Sequence, residues 1–456
     1  MLSAKRPNAR LGARHFVVAV AWAAGVPTAS ATPPHVVSVT PAPDSAGVDP
    51  ATKEIIVVFD QPMANGYSVT HGLGTGPRDV PGDAGAARWP DDHTFVDPIR
   101  LRADRDYGVS FNDGAFQNFT NAAGEALVPY PMRFSTAATA TKPRAAANAR
   151  LLARLKRAID EDYSHRDIRG VDWDARFREF TPRLLGAPSV RAFGRTAAEL
   201  LVPAHDAHMA LWLRRGLTEW NYLPFPMPVA NVNPDALPKL VPGWTSLGDG
   251  AVATGRFPDG VGFIAINEWE RATQAALPDI YAAIQAADPL RGLIIDVRAN
   301  EGGSELIGQK VAGCFVRKPT PYANVRARQN GSWLGPFQNE VAPNPACAAF
   351  PAERVAVLEG PTSMSADESF LKMMKLAGAA IVGQTSLGSS GLPRPHRLGH
   401  GLVLMVPSIE DNWPDGTPVE GVGVSPTVEV EATAADLANR DPVLDAALAL
   451  LRRSGG

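Results

Sequence analysis

The sequence predicts a multidomain protein with an N-terminal β-sandwich, a helical segment and an α/β core. Three observations carry this. The chain has 456 residues, more than one ordinary domain holds. Short β-like runs punctuated by turn clusters fill residues 34–137. From Val261 onward, apolar runs of strand length alternate with helical segments, the pattern of a sheet flanked by helices. The expected divisions are a signal peptide at 1–31, the sandwich at 32–138, a linker at 139–149, a helical part at 150–250 and the α/β core at 251–456.

Residues 1–31 carry the marks of an export signal. Lys5, Arg6, Arg10 and Arg14 form a basic start, Phe16 to Val26 is apolar but too short to span a bilayer, and Ala29-Ser30-Ala31 offers a small-x-small cleavage site. No later stretch has the apolar length of a membrane helix. In an oxidising compartment, the two cysteines, Cys314 and Cys347, read as a disulfide worth roughly 3 kcal/mol, with two buried thiols as the alternative. The net charge of −3 gives no reason to expect nucleic acid or an acidic membrane as partner.

Within the first module, Val36 to Val39, Glu54 to Phe59, Tyr107 to Phe111 and Pro131 to Ser135 read as strands separated by clusters such as Asp44-Ser45-Ala46-Gly47. The segments Val-Val-Ser-Val-Thr-Pro-Ala-Pro-Asp (36–44) and Ile-Ile-Val-Val-Phe-Asp-Gln-Pro-Met (55–63) resemble bacterial Ig-like modules, which implies a spacer or binding unit without catalysis. After the linker, Leu151, Leu152, Leu155, Ile159 and Tyr163 recur at helical spacing. In the core, strands are expected at Val261–Ile266, Gly292–Val297, Arg354–Leu358, Ala379–Val382 and Leu402–Val406. Helices are expected around 278–287, 304–315 and 367–376.

Two strand-to-helix turns in that core could carry chemistry. Ser365 follows a strand and a Gly-Pro turn and stands immediately before a helix, whose unpaired first N–H groups could stabilise an oxyanion. Local physics alone favours a plainer role, since serine is a common N-cap and Asp367 and Glu368 suit a first helical turn. The second turn, Asp296 to Gly303, ends in adjacent glycines that let backbone approach a ligand closely.

Gly-Leu-Ile-Ile-Asp-Val-Arg-Ala-Asn-Glu-Gly-Gly (292–303), Val-Ala-Val-Leu-Glu-Gly-Pro-Thr-Ser-Met-Ser-Ala-Asp-Glu (355–368), Ile-Val-Gly-Gln-Thr-Ser-Leu-Gly (381–388) and Val-Glu-Gly-Val-Gly-Val-Ser-Pro (419–426) occur in that order. Together they resemble the C-terminal-processing and tricorn-core serine peptidases. The resemblance implies a crotonase-like α/β core (ClpP/crotonase superfamily) and peptide hydrolysis through an acyl-enzyme. It implies Ser365 as nucleophile and the backbone N–H groups of Gly302 and Ala366 as oxyanion donors.

The base follows from a departure. One branch of the family uses a lysine where this chain has Ser389, and Lys372 and Lys375 lie in the helix after the nucleophile. The tricorn-like branch uses a histidine, and Leu-Leu-Val-Pro-Ala-His-Asp-Ala-His-Met (200–209) resembles that element. This implies His208 as base and Glu420 as its acidic support. Ala207 stands where that branch has a bridging serine, so Asp206 is the alternative support. His396 and His400 are the rival bases. His205 with His208 has metal-pair spacing but no third ligand suggests itself, so no metal and no cofactor are expected. About 50 residues separate His208 from Val261, too few for a PDZ module, and the aromatic piece from Trp220 to Trp244 occupies that space.

The sequence therefore implies a secreted or periplasmic serine peptidase acting on peptide or protein substrates. The alternative is a catalytically lapsed binding protein on the same fold.

Overall fold

The computed structural model describes residues 32–70, 80–113, 116–137, 144–215, 218–222, 228–433, 436–438 and 440–453. The expected signal segment, and parts of the linker and of the piece from Trp220 to Trp244, lie outside the described residues.

The first module is built from two antiparallel sheets. One has the order Val36–Thr40, Glu54–Phe59, Thr94–Arg100, Gly82–Asp83, and the other Val69–Thr70, Asp106–Phe111, Tyr130–Ser135. Strict alternation in Glu54–Phe59 sends Ile55, Val57 and Phe59 inward, where they meet Phe95, Phe111 and Phe119. Thr94–Arg100 is a further strand, outside the expected set, that contains a proline, a residue usually confined to strand edges and ends. Pro98 is accommodated near the end of the pairing, opposite Glu54. Asp106 pairs with Arg191 and Arg195, and Asp104 accepts a hydrogen bond from Ser189, fastening this module to the helices that follow.

Helices α1 (Ala145–Arg157), α2 (Trp173–Leu185) and α3 (Val190–Leu201) form the helical part. Leu151 and Leu155 of α1, with Ile159 beyond it, are fully buried against Trp173, Phe177, Leu184 and Phe193. Asp172 and Ser189 cap α2 and α3 through their side chains. These helices close over a four-stranded sheet of order Pro393–Gly399, Leu402–Pro407, Ala210–Arg215, Thr218–Tyr222. The strand at Leu402 was expected in the α/β core. It pairs instead with Ala210–Arg215, and Leu402, Leu404 and Val406 complete the helical part's own core.

The α/β core centres on a seven-stranded sheet. In spatial order its strands are β1 (Thr245–Leu247), β2 (Val252–Arg256), β3 (Gly262–Ile266), β4 (Leu293–Asp296), β5 (Val355–Glu359), β6 (Ala380–Gly383) and β7 (Val428–Glu429). β1 to β3 form an antiparallel meander and β3 to β7 run parallel. Every residue of β3, β4 and β5 is buried, which is why these strands read as unbroken apolar runs. Helices α4 (Arg271–Ala286), α5 (Glu305–Ala312) and α6 (Ala366–Ala377) cover one face, and α7 (Pro442–Arg453) the other. A hairpin of Thr320–Gln329 and Ser332–Val341 pairs through its first strand with Ile409–Asn412. No described helix is long and apolar enough to cross a membrane.

Cys314 and Cys347 are disulfide-bonded, closing a loop across 33 positions between the end of α5 and the segment after the hairpin. Replacing both by serine is expected to lower the unfolding free energy by roughly 3 kcal/mol. A urea series on the protein and on the double variant checks this.

Candidate active site

The carboxyl ends of β4, β5 and β6 lie side by side, and their three loops meet there. Such an edge is where open parallel sheets place their ligand sites. The loop after β5 is stitched to the loop after β4 by Thr362 Oγ1, which donates to the Arg298 carbonyl at 2.7 Å, and by Ser363 Oγ, which donates to the Val297 carbonyl at 3.1 Å. Leu387 N–H donates to the Ser363 carbonyl at 2.9 Å, tying in the loop after β6.

Ser365 closes the β5 loop with φ +60° and ψ −128°. A side chain in that region costs about 1–3 kcal/mol and persists only where its surroundings impose it. Two neighbours do so here. The Ser365 N–H donates to the Ser389 carbonyl at 2.8 Å, and the Ser365 carbonyl accepts from Glu368 N–H at 2.9 Å. Gly302 lies directly against the turn: a Cβ there would stand 2.7 Å from Ser365 Cβ, so only glycine fits. Ser365 makes no side-chain cap bond to its helix, which removes the capping role that local propensity favours.

His208 arrives from the turn after α3. The Asp206 carboxylate accepts the His208 N–H at 2.9 Å, and the His208 ring meets Ser389 through Nδ1 and Oγ at 2.8 Å. Ser389 thus joins the two expected catalytic residues, its carbonyl holding Ser365 and its hydroxyl holding His208. Ser365 and His208 share no direct hydrogen bond. Burial pushes the His208 pKa below the ordinary imidazole value, against the pull of Asp206.

Residues 260–430 match the profile of peptidase family S41. They form an S41 peptidase domain. The chain is 27% identical over 172 residues to the carboxy-terminal processing protease CtpB of Bacillus subtilis, covering 38% of this chain and 34% of that protein. It is 25% identical over 181 residues to the carboxy-terminal-processing protease of Bartonella bacilliformis, covering 38% and 39%. The chain thus spans little more than a third of either relative's length. Among solved structures, a candidate peptidase from Parabacteroides merdae superposes with a TM-score of 0.58 at 21% identity, covering 67% of this chain and 96% of that one. Mature CPAF gives 0.51 at 12% identity, covering 68% and 99%. These two likenesses establish a shared fold.

The S41 domain supplies Ser365, Ala366, Gly302 and Glu420, whereas His208 and Asp206 come from outside the matched span. The Ala366 N–H has no acceptor among the described residues. The Gly302 N–H, expected to be a second oxyanion donor, is turned to Asn300 Oδ1 at 2.9 Å. As the loop stands, that donor is occupied. The Gly303 N–H beside it has no acceptor among the described residues.

Glu420 also departs from expectation, because it does not touch His208. One carboxylate oxygen accepts from Ser390 N–H at 2.7 Å and Ser390 Oγ at 3.1 Å. The other faces Arg169, and His165 Nδ1 at 3.2 Å. Asp206, the alternative support, is the carboxylate that holds the His208 backbone.

The S41 domain uses Glu368 differently from a surface helix-dipole partner. It is fully buried and accepts from Ser386 Oγ at 2.6 Å, Gly388 N–H at 2.7 Å and Ser389 N–H at 3.0 Å. Burial raises its pKa to about 8 despite these bonds. Glu368 therefore anchors the loop that carries Ser389.

The rival bases lie elsewhere. His396 is half-buried, 3.6 Å from Asp162, and His400 is exposed at a turn. Lys372 donates to Asp411 at 2.7 Å and Lys375 to the Ser425 carbonyl at 2.7 Å, so neither stands in for the lysine base. His205 is exposed while His208 turns inward to Ser389, which separates the spacing-based metal pair. His165, Tyr163 and Arg169 are members of the site that sequence reasoning missed. The ligating atoms of His165, Asp206 and Glu420 lie within 4.8 Å of one another, close enough to hold a metal ion. Arg169 on Glu420 and the Tyr163 hydroxyl on Asp206, 2.8 Å away, already satisfy the oxygens such an ion would take.

Proposed function

We propose that this chain is an exported serine peptidase that cleaves peptide bonds in protein substrates, with Ser365 as nucleophile and His208 as general base. The observation that carries the reading is the strained, uncapped Ser365 turn, locked by Gly302 and Ser389, with His208 on the same Ser389. With Nδ1 occupied by Ser389, the Nε2 of His208 is the nitrogen that takes the serine proton as Oγ attacks the scissile carbonyl. The same nitrogen then protonates the leaving amine, and water hydrolyses the acyl-enzyme.

The oxyanion faces the Ala366 N–H. The second donor is the free Gly303 N–H, or the Gly302 N–H where substrate displaces Asn300. Asp206 fixes the backbone of His208, and Glu420 supports the site indirectly through Ser390, Arg169 and His165. Residues 32–138 are an Ig-like spacer or binding module, 139–149 a linker, 150–250 the part that delivers His208, and 251–456 a crotonase-like core. The two-sheet module and the disulfide favour this organisation and an extracytoplasmic location.

A second reading is favoured by one observation, the missing direct bond between Ser365 and His208: a lapsed enzyme that binds peptides. Activity and its pH profile separate the two. His208→Ala is expected to lower kcat/KM on a fluorogenic peptide panel by about 10⁴-fold or more. In the unaltered protein, kcat/KM is expected to fall at acid pH as His208 takes a proton. Because burial lowers that pKa, the fall lies at lower pH than an ordinary histidine, near 6.5, would give. Absence of turnover on the whole panel at every pH, together with saturable peptide binding, would support the lapsed form.

A further inference from the structure

The His165 ring is enclosed beside the site, with its side chain wholly inaccessible to solvent. Its Nδ1 lies 3.0 Å from Asp206 Oδ2 and 3.2 Å from Glu420 Oε1, and its Nε2 lies 3.2 Å from the Ile409 carbonyl oxygen. Carboxylate and carbonyl oxygens only accept hydrogen bonds. A neutral imidazole has one donor nitrogen and one acceptor nitrogen, so one contact would set lone pair against lone pair. Only the doubly protonated ring satisfies both sides.

The surrounding charges agree. Glu420 accepts from Arg169 and from both the N–H and Oγ–H of Ser390, with His165 Nδ1 3.2 Å away; burial raises its pKa, and His165, Arg169 and the Ser390 N–H pull it back toward the ionised form. Asp206 receives Tyr163 Oη–H, His165 and the His208 N–H, and its pKa is depressed, burial being outweighed by His165. Two buried carboxylates then face two cations, Arg169 and His165, and their formal charges cancel. The strand beneath, Ile409–Asn412, adds no free charge, since Glu410 pairs with Arg326 and Asp411 with Lys372. His208 is the remaining titratable neighbour, and it is engaged by Ser389.

We infer that His165 is a buried imidazolium that positions Asp206 and Glu420, and through them the general base, so that its deprotonation sets an alkaline limit on the activity. This inference rests on the peptidase reading for its catalytic consequence but not for the charge on His165. His165 is a positioning residue: it meets the carboxylate that holds His208 and the one that holds Ser390, and touches no reacting atom. Opposing carboxylates raise its pKa against the effect of burial. The charged ring is therefore present below that pKa and is lost as pH rises through it. Loss of the proton leaves Asp206 and Glu420 with one cation between them, and both loops that carry the site can then shift.

The test has two arms on the full chain. In the first, imidazole ¹⁵N shifts are followed from pH 5 to 10 in Ser365→Ala and in Ser365→Ala/His165→Gln. The expected result is one histidine that remains doubly protonated well above the ordinary range and disappears in the His165→Gln protein. A singly protonated His165 at pH 7 would overturn the inference, whether or not the chain is a peptidase. In the second, the rate of fluorophosphonate labelling of Ser365 is measured against pH. The unaltered protein should lose rate on the alkaline side in step with that resonance. His165→Gln should be slower at pH 7 by about 10²-fold and lack that alkaline step. An alkaline step unchanged in His165→Gln would overturn the positioning role even if the variant is slow. No labelling of the unaltered protein at any pH would count against the peptidase reading, with the first arm still deciding the charge.

Discussion

Replacing Ser365 by alanine is expected to lower kcat/KM for peptide hydrolysis by about 10⁴–10⁶-fold, to the level that binding and oxyanion contacts alone sustain. The fold should be indifferent to the change. The Ser365 side chain makes no cap bond, and alanine keeps the backbone in its strained conformation with the same N–H on the Ser389 carbonyl. Ser365→Gly separates the two properties further. It should be equally inactive yet at least as stable, because glycine occupies φ +60° without the side-chain penalty of about 1–3 kcal/mol. Urea midpoints and kinetics on the two variants check this together. A clear loss of stability in Ser365→Ala would mean that the hydroxyl serves the structure after all.

The largest stability effect is expected at Arg298. This side chain, on the loop after β4, is wholly buried. It donates to both carboxylate oxygens of Asp296 at 2.9 and 2.7 Å and to both of Asp441 at 2.8 and 2.7 Å, and also to the Asn231 carbonyl. Asp441 in turn accepts the Leu444 N–H in the first turn of α7. Burial pulls the Arg298 pKa down, but Asp296 and Asp441 more than offset it and hold the guanidinium firmly charged. Arg298→Met removes the cation and leaves two carboxylates facing each other out of water. The expected cost is about 3–5 kcal/mol, read from equilibrium unfolding in urea. Neutralising the acids as well, in Asp296→Asn/Asp441→Asn on the Arg298→Met background, should recover part of it. A change below about 1 kcal/mol in Arg298→Met would show that the network adds little to stability.

Much of the catalytic edge could be read from the chain because its signals are local. The buried parallel strands announce themselves as apolar runs, and the turns at 296–303 and 360–365 follow them in the expected order. What local pattern cannot carry is backbone strain and long-range pairing. Ser365 looks like an N-cap until its positive φ and its missing cap bond are seen. Gly302 looks like an open donor, but the Asn300 side chain two residues earlier folds back onto its N–H. The network of Tyr163, His165, Arg169, Asp206 and Glu420 includes bonds across 41 and 251 residues, so no window of sequence contains it. The strand at Leu402 was misassigned for a related reason. Its apolar pattern marks it as a strand, but only its pairing with Ala210–Arg215 says which sheet it joins.

Ser365, activated by His208, should form a covalent intermediate with substrate. Its most direct test is peptide-mapped mass spectrometry of the full chain after treatment with a fluorophosphonate at neutral pH. One adduct is expected, on the peptide bearing Ser365, formed at least about 10²-fold more slowly in His208→Ala. An adduct on any other residue, or labelling of Ser365 at an undiminished rate without His208, would contradict it.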